Sequence, residues 1–167
     1  MNTNNKKLKI AIAGLGFGKK VHLEALKESH YLTPVAIYHY EKEQKTILEK
    51  ETGLEFFHDW EDLVKSPEID GIIIATPPES RFQLAKQALE NNKNLLLEKP
   101  VSISSSEIEE LQRISLINNL SVCVDFEYRV VPLFLQTKKL IDENILGDIY
   151  LVKLDWLMGS RSDPKRV

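Results

Sequence analysis

The chain has 167 residues, 43% hydrophobic and 28% charged, with a net charge of −3. That size suits a domain of ordinary length, and the weak negative charge carries no electrostatic footprint for nucleic acid. The single cysteine, Cys123, rules out a disulfide framework within the chain and fits a reducing compartment, so a cytoplasmic location is expected. The polar segment Met1–Lys7 lacks the apolar core of a signal peptide. Aliphatic runs such as Ile72–Ala75 are far too short to cross a bilayer, so no membrane partner is expected.

Taken in chain order, strands and helices alternate. Leu8–Ala13 is a short apolar run ending at a glycine and predicts a first strand. Lys19–Ser29 carries Val21, Leu23, Ala25 and Leu26 between charges, the pattern of a helix. Val35–Tyr38 reads as a second strand, Glu41–Glu51 as a charged helix with Gly53 as its C-cap, and Phe56–Phe57 as a third strand. Asp59 is an N-cap type residue for a brief helix that closes before Ser66-Pro67. Asp70–Ala75 is so uniformly aliphatic that both faces must be covered, the signature of a parallel sheet. A helix over Glu79–Asn91, a strand over Asn94–Leu97, a helix over Ser105–Asn118, a strand over Ser121–Phe126 and a helix over Pro132–Glu143 follow. The alternation predicts a Rossmann-type, doubly wound α/β fold, with a mostly parallel sheet and helices on both faces. Right-handed crossovers then bring the loops after Ala13, Tyr38, Ala75, Leu97 and Phe126 to one crevice.

Two motifs carry chemistry on that frame. Gly14-Leu15-Gly16-Phe17-Gly18-Lys19 lies at the first strand–helix junction, where a dinucleotide pyrophosphate needs backbone N–H groups and no obstructing side chains. Gly14 suits the tight turn and Gly16 the close approach. The pattern is G-x-G-x-G, with Lys19 where a third glycine is usual. The same arrangement serves methyltransferases that bind S-adenosylmethionine, and a turn needing glycine only for positive φ remains the plain alternative. Glu98-Lys99-Pro100 follows the leucine run Leu95–Leu97 and displays a lysine at a strand end. An unperturbed lysine titrates near ~10.4, so proton transfer at neutral pH calls for burial or a neighbouring cation.

Other positions are more open. An acid at the end of the second strand would bind a ribose 2′-hydroxyl, and a base would accommodate a 2′-phosphate. His39 stands there with Glu41 slightly late, which leaves NAD and NADP both open. Ala75-Thr76-Pro77-Pro78 reads equally as a rigid wall against the nucleotide or as a helix start capped by Thr76 or Ser80. His22 reads as a helix-packing residue. No histidine joins a cluster with metal-ligand spacing, so no metal site is expected. Cys123, between valines, reads as a buried small hydrophobe.

Gly14-Leu15-Gly16 with His22, Ala75-Thr76-Pro77-Pro78, Glu98-Lys99-Pro100, Tyr128-Arg129 and Ile145-Leu146-Gly147-Asp148-Ile149 together resemble the Gfo/Idh/MocA family of NAD(P)-dependent oxidoreductases, from Leu8 to about Trp156. The resemblance implies hydride transfer to or from a sugar, inositol or similar polyol. It makes Lys99 the catalytic or orienting residue and places it on substrate and nicotinamide alike. It puts Glu98 and Glu127 at the cofactor pocket and Arg129 at the substrate. Arg81 departs from the pattern, standing where a histidine is common, as does Glu127, where asparagine is frequent.

From Asp148 to Gly159 the chain alternates, with Tyr150, Val152, Leu154, Trp156 and Met158 on one side of an expected strand. The resemblance makes this the start of a second, substrate and oligomerisation domain. That reading gives a dinucleotide-binding domain over 1–147 and the first strand of a truncated partner domain over 148–167, with a homo-oligomer expected for the full-length protein. The alternative reading is a nucleotide-binding module without turnover of its own.

Overall fold

The computed structural model describes residues 6–157, and the described chain packs as two units that divide after Phe126. The first unit holds a six-stranded sheet. Its strands are β1 (Leu8–Ala13), β2 (Leu32–Tyr38), β3 (Glu55–Phe57), β4 (Gly71–Ile74), β5 (Asn94–Leu97) and β6 (Val122–Val124). All are parallel, in the order β3-β2-β1-β4-β5-β6, which is the doubly wound order with its reversal between β1 and β4.

The helices are α1 (Leu23–Lys27, entered through a π-turn at Gly18–His22), α2 (Lys45–Thr52, entered through a 3-10 turn), α3 (Trp60–Lys65), α4 (Pro78–Glu90) and α5 (Ser105–Ile117). Strand alternation sends successive side chains to opposite faces. Ile10 and Ile12 of β1 and Ile73 of β4 pack with Leu23 and Leu26 of α1. Ala11, Ala13, Ile72 and Ile74 face the other way, onto Leu63, Phe82, Ala85, Leu89, Leu111 and Ile114 of α3, α4 and α5. All four residues of β4 are buried, as its unbroken aliphatic run requires.

Local signals placed most boundaries. Gly53 caps α2 with φ +71, and the Asp59 carboxylate accepts the Glu61 N–H at 2.8 Å to cap α3. Strand β2 begins three residues earlier than its apolar run suggests. Pro34 cannot donate to a ladder, but it lies below the reach of β3, which pairs only with Ala36–Tyr38, and the register with β1 slips at that level. Neither Thr76 nor Ser80 caps α4. Pro77 holds that position and Pro78 opens the helix, where its missing N–H costs nothing. Cys123 is exposed rather than buried, because β6 is the last strand of the sheet and Cys123 points away from the face that α5 covers.

The second unit contains a 3-10 turn (Glu127–Val130) and α6 (Pro132–Asp142). Tyr128 packs edge-on against Phe134 and Trp156. The expected strand is not formed in residues 148–157, which pair with no other strand among the described residues. Tyr150, Val152 and Leu154 are exposed. A strand needs a partner for its backbone groups, and alternation alone supplies none. Met158 and Gly159 lie outside the described residues.

Candidate active site

At the reversal between β1 and β4, the loops after the two strands separate and leave a cavity of about 780 Å³. Its walls include Gly14, Leu15 and Gly16 from the first loop, Tyr38, His39 and Tyr40 from the end of β2, Ala75–Arg81 from the loop after β4 and the start of α4, and Lys99 and Pro100 from the loop after β5. The volume suits a ligand of cofactor size, and the cavity is built from the first unit alone.

Each glycine of the turn has its own reason. Gly14 has φ +117, and a Cβ there would lie 2.5 Å from the Ala75 carbonyl oxygen. Only glycine tolerates both the angle and the approach of two adjacent strand ends. A Cβ on Gly16 would meet nothing within 4 Å, so the open space over this residue lies on the cavity side. A Cβ on Gly18 would come within 3.1 Å of Ile12 Cγ2 and 3.3 Å of Ala75 Cβ. Gly18 therefore performs the close helix–strand packing that a third glycine serves in such turns. The sequence places it one residue early, and the chain takes up the offset in the π-turn that starts at Gly18.

The remaining residues of the turn face elsewhere. The Lys19 N–H donates to the Gly14 carbonyl at 3.1 Å, and its ammonium pairs with Glu51 of α2 at 2.6 Å. Phe17 is exposed and sets its ring edge-on to His22 at 5.3 Å. The His39 ring stacks on Tyr40 at 4.6 Å, and its Nδ1 accepts the Glu41 N–H at 3.3 Å. A neutral His39 ring thus carries its proton on Nε2. Burial, with help from the charge of Asp59, pushes the Tyr38 hydroxyl above its ordinary pKa.

Glu98 does not line the cavity. It is buried, and its carboxylate turns inward. Oε1 lies 2.9 Å from His22 Nε2, and Oε2 accepts the Lys99 backbone N–H at 3.2 Å. His22 is more than a packing residue: Asp125 Oδ2 also stands 3.7 Å from its Nε2. His22, Glu98 and Asp125 offer ligand atoms within 4.8 Å of one another, a cluster whose members are too far apart in sequence for spacing to show. The close His22–Glu98 hydrogen bond gives the cluster a role without a metal.

The contacts of a second residue escaped sequence reasoning. Arg81, in the first turn of α4, is 4% exposed. Its Nη1 donates to the carbonyls of Glu98 and Pro100, and its Nη2 to that of Thr76. Burial lowers its pKa, and the charges of Glu98 and Glu79 oppose that. Arg81 Nε and Thr76 Oγ1 are buried without a partner among the described residues. Lys99 lies in sequence between the two residues whose carbonyls are pinned, exposed at the cavity wall. Glu127 and Arg129 fall in the 3-10 turn that opens the second unit.

A doubly wound fold with β1 and β4 flanking the switch point and a three-glycine turn after β1 is the dinucleotide-binding arrangement. Residues 8–126 match the family described as an oxidoreductase family with an NAD-binding Rossmann fold. The chain belongs to that Gfo/Idh/MocA family. It is 36% identical over 165 residues to the uncharacterized oxidoreductase sll0816 of Synechocystis, covering 98% of this chain and 44% of that protein. It is 28% identical over 152 residues to the glucose-6-phosphate 3-dehydrogenase of Bacillus subtilis, covering 91% of this chain and 43% of the relative. Scyllo-inositol dehydrogenase from Lactobacillus casei, solved with NAD(H) and scyllo-inositol, superposes with a TM-score of 0.79 at 28% identity, over 86% of this chain and 43% of that one. The chain thus spans less than half the length of these relatives. Among its described residues, no helix is long and apolar enough to cross a membrane.

Proposed function

We propose that this chain is the nucleotide-binding part of an NAD(P)-dependent oxidoreductase acting on a sugar, inositol or related polyol, with Lys99 as its proton-transfer residue. The observation that carries the reading is one cavity walled by both the Gly14–Gly16 turn and Lys99. The open space over Gly16 and the close approaches at Gly14 and Gly18 fit a diphosphate laid against the turn. Leu15 and Gly16 would hold the phosphates, the end of β2 at His39 would meet the ribose, and Ala75–Pro78 would wall the nicotinamide side. A bound nicotinamide would supply the hydride acceptor or donor.

Lys99 Nζ would take the proton from the substrate hydroxyl on oxidation and return it on reduction. Placing that amine beside the reacting carbon gives it its effect through proximity. His39 offers a ring N–H donor at Nε2 and no carboxylate of its own, so both NAD and NADP stay in the reading. A sugar or inositol substrate is supported by what the matched relatives are named for. Because the chain spans 43–44% of those relatives, the proposal assigns it nucleotide binding and the Lys99 side of the substrate site. Glu127 and Arg129 are kept as further contacts, and full turnover and homo-oligomer formation are assigned to the whole protein.

Melting of the chain with NADH, NADPH and S-adenosylmethionine, each added separately, tests this. At a nucleotide concentration about 100 times its Kd, a stabilisation of about 2.7 kcal/mol is expected with one or both pyridine nucleotides. S-adenosylmethionine should give none. A response to neither pyridine nucleotide would refute the reading, and a response to S-adenosylmethionine alone would replace it with a methyltransferase-like site.

A further inference from the structure

We propose that Arg81 is a positioning residue: its guanidinium locks the loop after β5 to the loop after β4 and thereby holds Lys99 at the cavity wall. The inference rests on the role given to Lys99 above, but its geometry does not. The three carbonyls that Arg81 engages belong to Thr76, Glu98 and Pro100. Two of them flank Lys99 directly and the third belongs to the neighbouring strand's loop. From the opposite side, His22 fixes the Glu98 carboxylate, which in turn accepts the Lys99 N–H. Glu98 is therefore tied on both sides and Pro100 by Arg81, while the side chain of Lys99 between them stays exposed at the cavity.

Packing alone does not explain a cation here. Taking a guanidinium out of water is costly, and an apolar side chain of similar volume often serves a core better. One Nε–H is also left without a partner. What the guanidinium adds is a planar fork with five donors in fixed directions. It can reach three carbonyls on two loops at once. A lysine ammonium is a single point on a flexible stem, and a neutral imidazole has one donor. The fork thus joins the loop after β4 and the loop after β5 into one wall.

Amide hydrogen exchange on the full 167-residue chain tests the clamp without any nucleotide. In Arg81→Met, exchange at Glu98, Lys99 and Ser80 should rise by about tenfold or more, while Ile12 and Ile37 in β1 and β2 change by less than about threefold. Arg81→Lys should shift the same amides by a smaller factor, and it gives the reading if the methionine variant does not fold. Unchanged exchange at Glu98 and Lys99, or an equal rise across the sheet, overturns the proposal.

Labelling of lysine amines by trinitrobenzenesulfonate, followed by peptide mass spectrometry, adds the functional arm. NADH should protect Lys99 in the wild type. In Arg81→Met it should protect Lys99 less than half as well at saturation, with Lys138 labelled alike in both. Equal protection in the variant counts against the clamp. Failure of NADH to bind the wild type refutes the proposed function, and the exchange result then decides the clamp by itself.

Discussion

The two units of this chain have similar proportions of apolar residues and behave differently. Up to Phe126, every strand has a neighbour and the central strands are covered on both faces, so Ile12, Ile37, Ile74 and Leu89 reach zero exposure. After Phe126, no described residue is buried. Leu151 and Leu157 are 85% and 93% exposed, although their segment is as apolar as β1. Hydrophobic content fixes what a segment gains by burial, and the partner fixes whether it is buried. Within the first unit, the same contrast separates β4, with helices on both faces, from β6, where one face is open at Cys123.

The sharpest way to break the first unit is at its crossing point. Gly14→Ala puts a methyl group against the Ala75 carbonyl at positive φ, and a loss of about 3 kcal/mol or more is expected, with the nucleotide-dependent melting shift abolished. Thermal melting with and without NADH checks both. A variant that melts like the wild type would mean that the two strand ends are not in contact.

Burial comes next. Leu89→Ala, fully enclosed in the core, should cost about 2–5 kcal/mol, whereas Leu154→Ala in the second unit should stay within about 0.5 kcal/mol. Urea titration of both gives the ratio directly, and comparable losses would erase the distinction between the units.

A smaller effect reports on charge inside the first unit. Lys93 is buried and donates through Nζ to the carbonyls of Ser66 and Ile69. Burial lowers its pKa below the ordinary lysine value, with Asp70 opposing. Just below that value, near ~10.4, the unfolded chain holds a proton that the folded chain has released. Stability from this group therefore rises with pH through the window. Tyr38, shifted upward, acts in the opposite sense nearby, so the comparison is with Lys93→Met. The wild-type minus variant stability should increase as pH rises through the range just below the ordinary lysine value of ~10.4. A flat difference would show that the ammonium is not desolvated.

Much of the site was legible. Gly14 and Gly16 announced themselves by residue type at a strand–helix junction, and Lys99 by following an apolar strand. The parallel topology that joins them follows from alternation and handedness. Gly18 looked misplaced, because counting residues assumes a regular helix and the chain begins its helix with a π-turn. Arg81 and the His22–Glu98–Asp125 cluster were illegible as partners. Arg81 sits amid ordinary helix sequence, and the cluster draws on three separate elements.

Sequence by itself determined the order and type of the elements, the α/β class and the family, since periodicity, turn chemistry and short motifs are local properties written along the chain. Only the tertiary structure decided that Glu98 turns inward to His22, that Arg81 binds three backbone carbonyls, and that residues 150–157 pair with no strand among the described residues. Those outcomes depend on which distant groups arrive within a few ångströms. Backbone carbonyls carry no residue identity, so no pattern in the sequence marks the three that Arg81 meets.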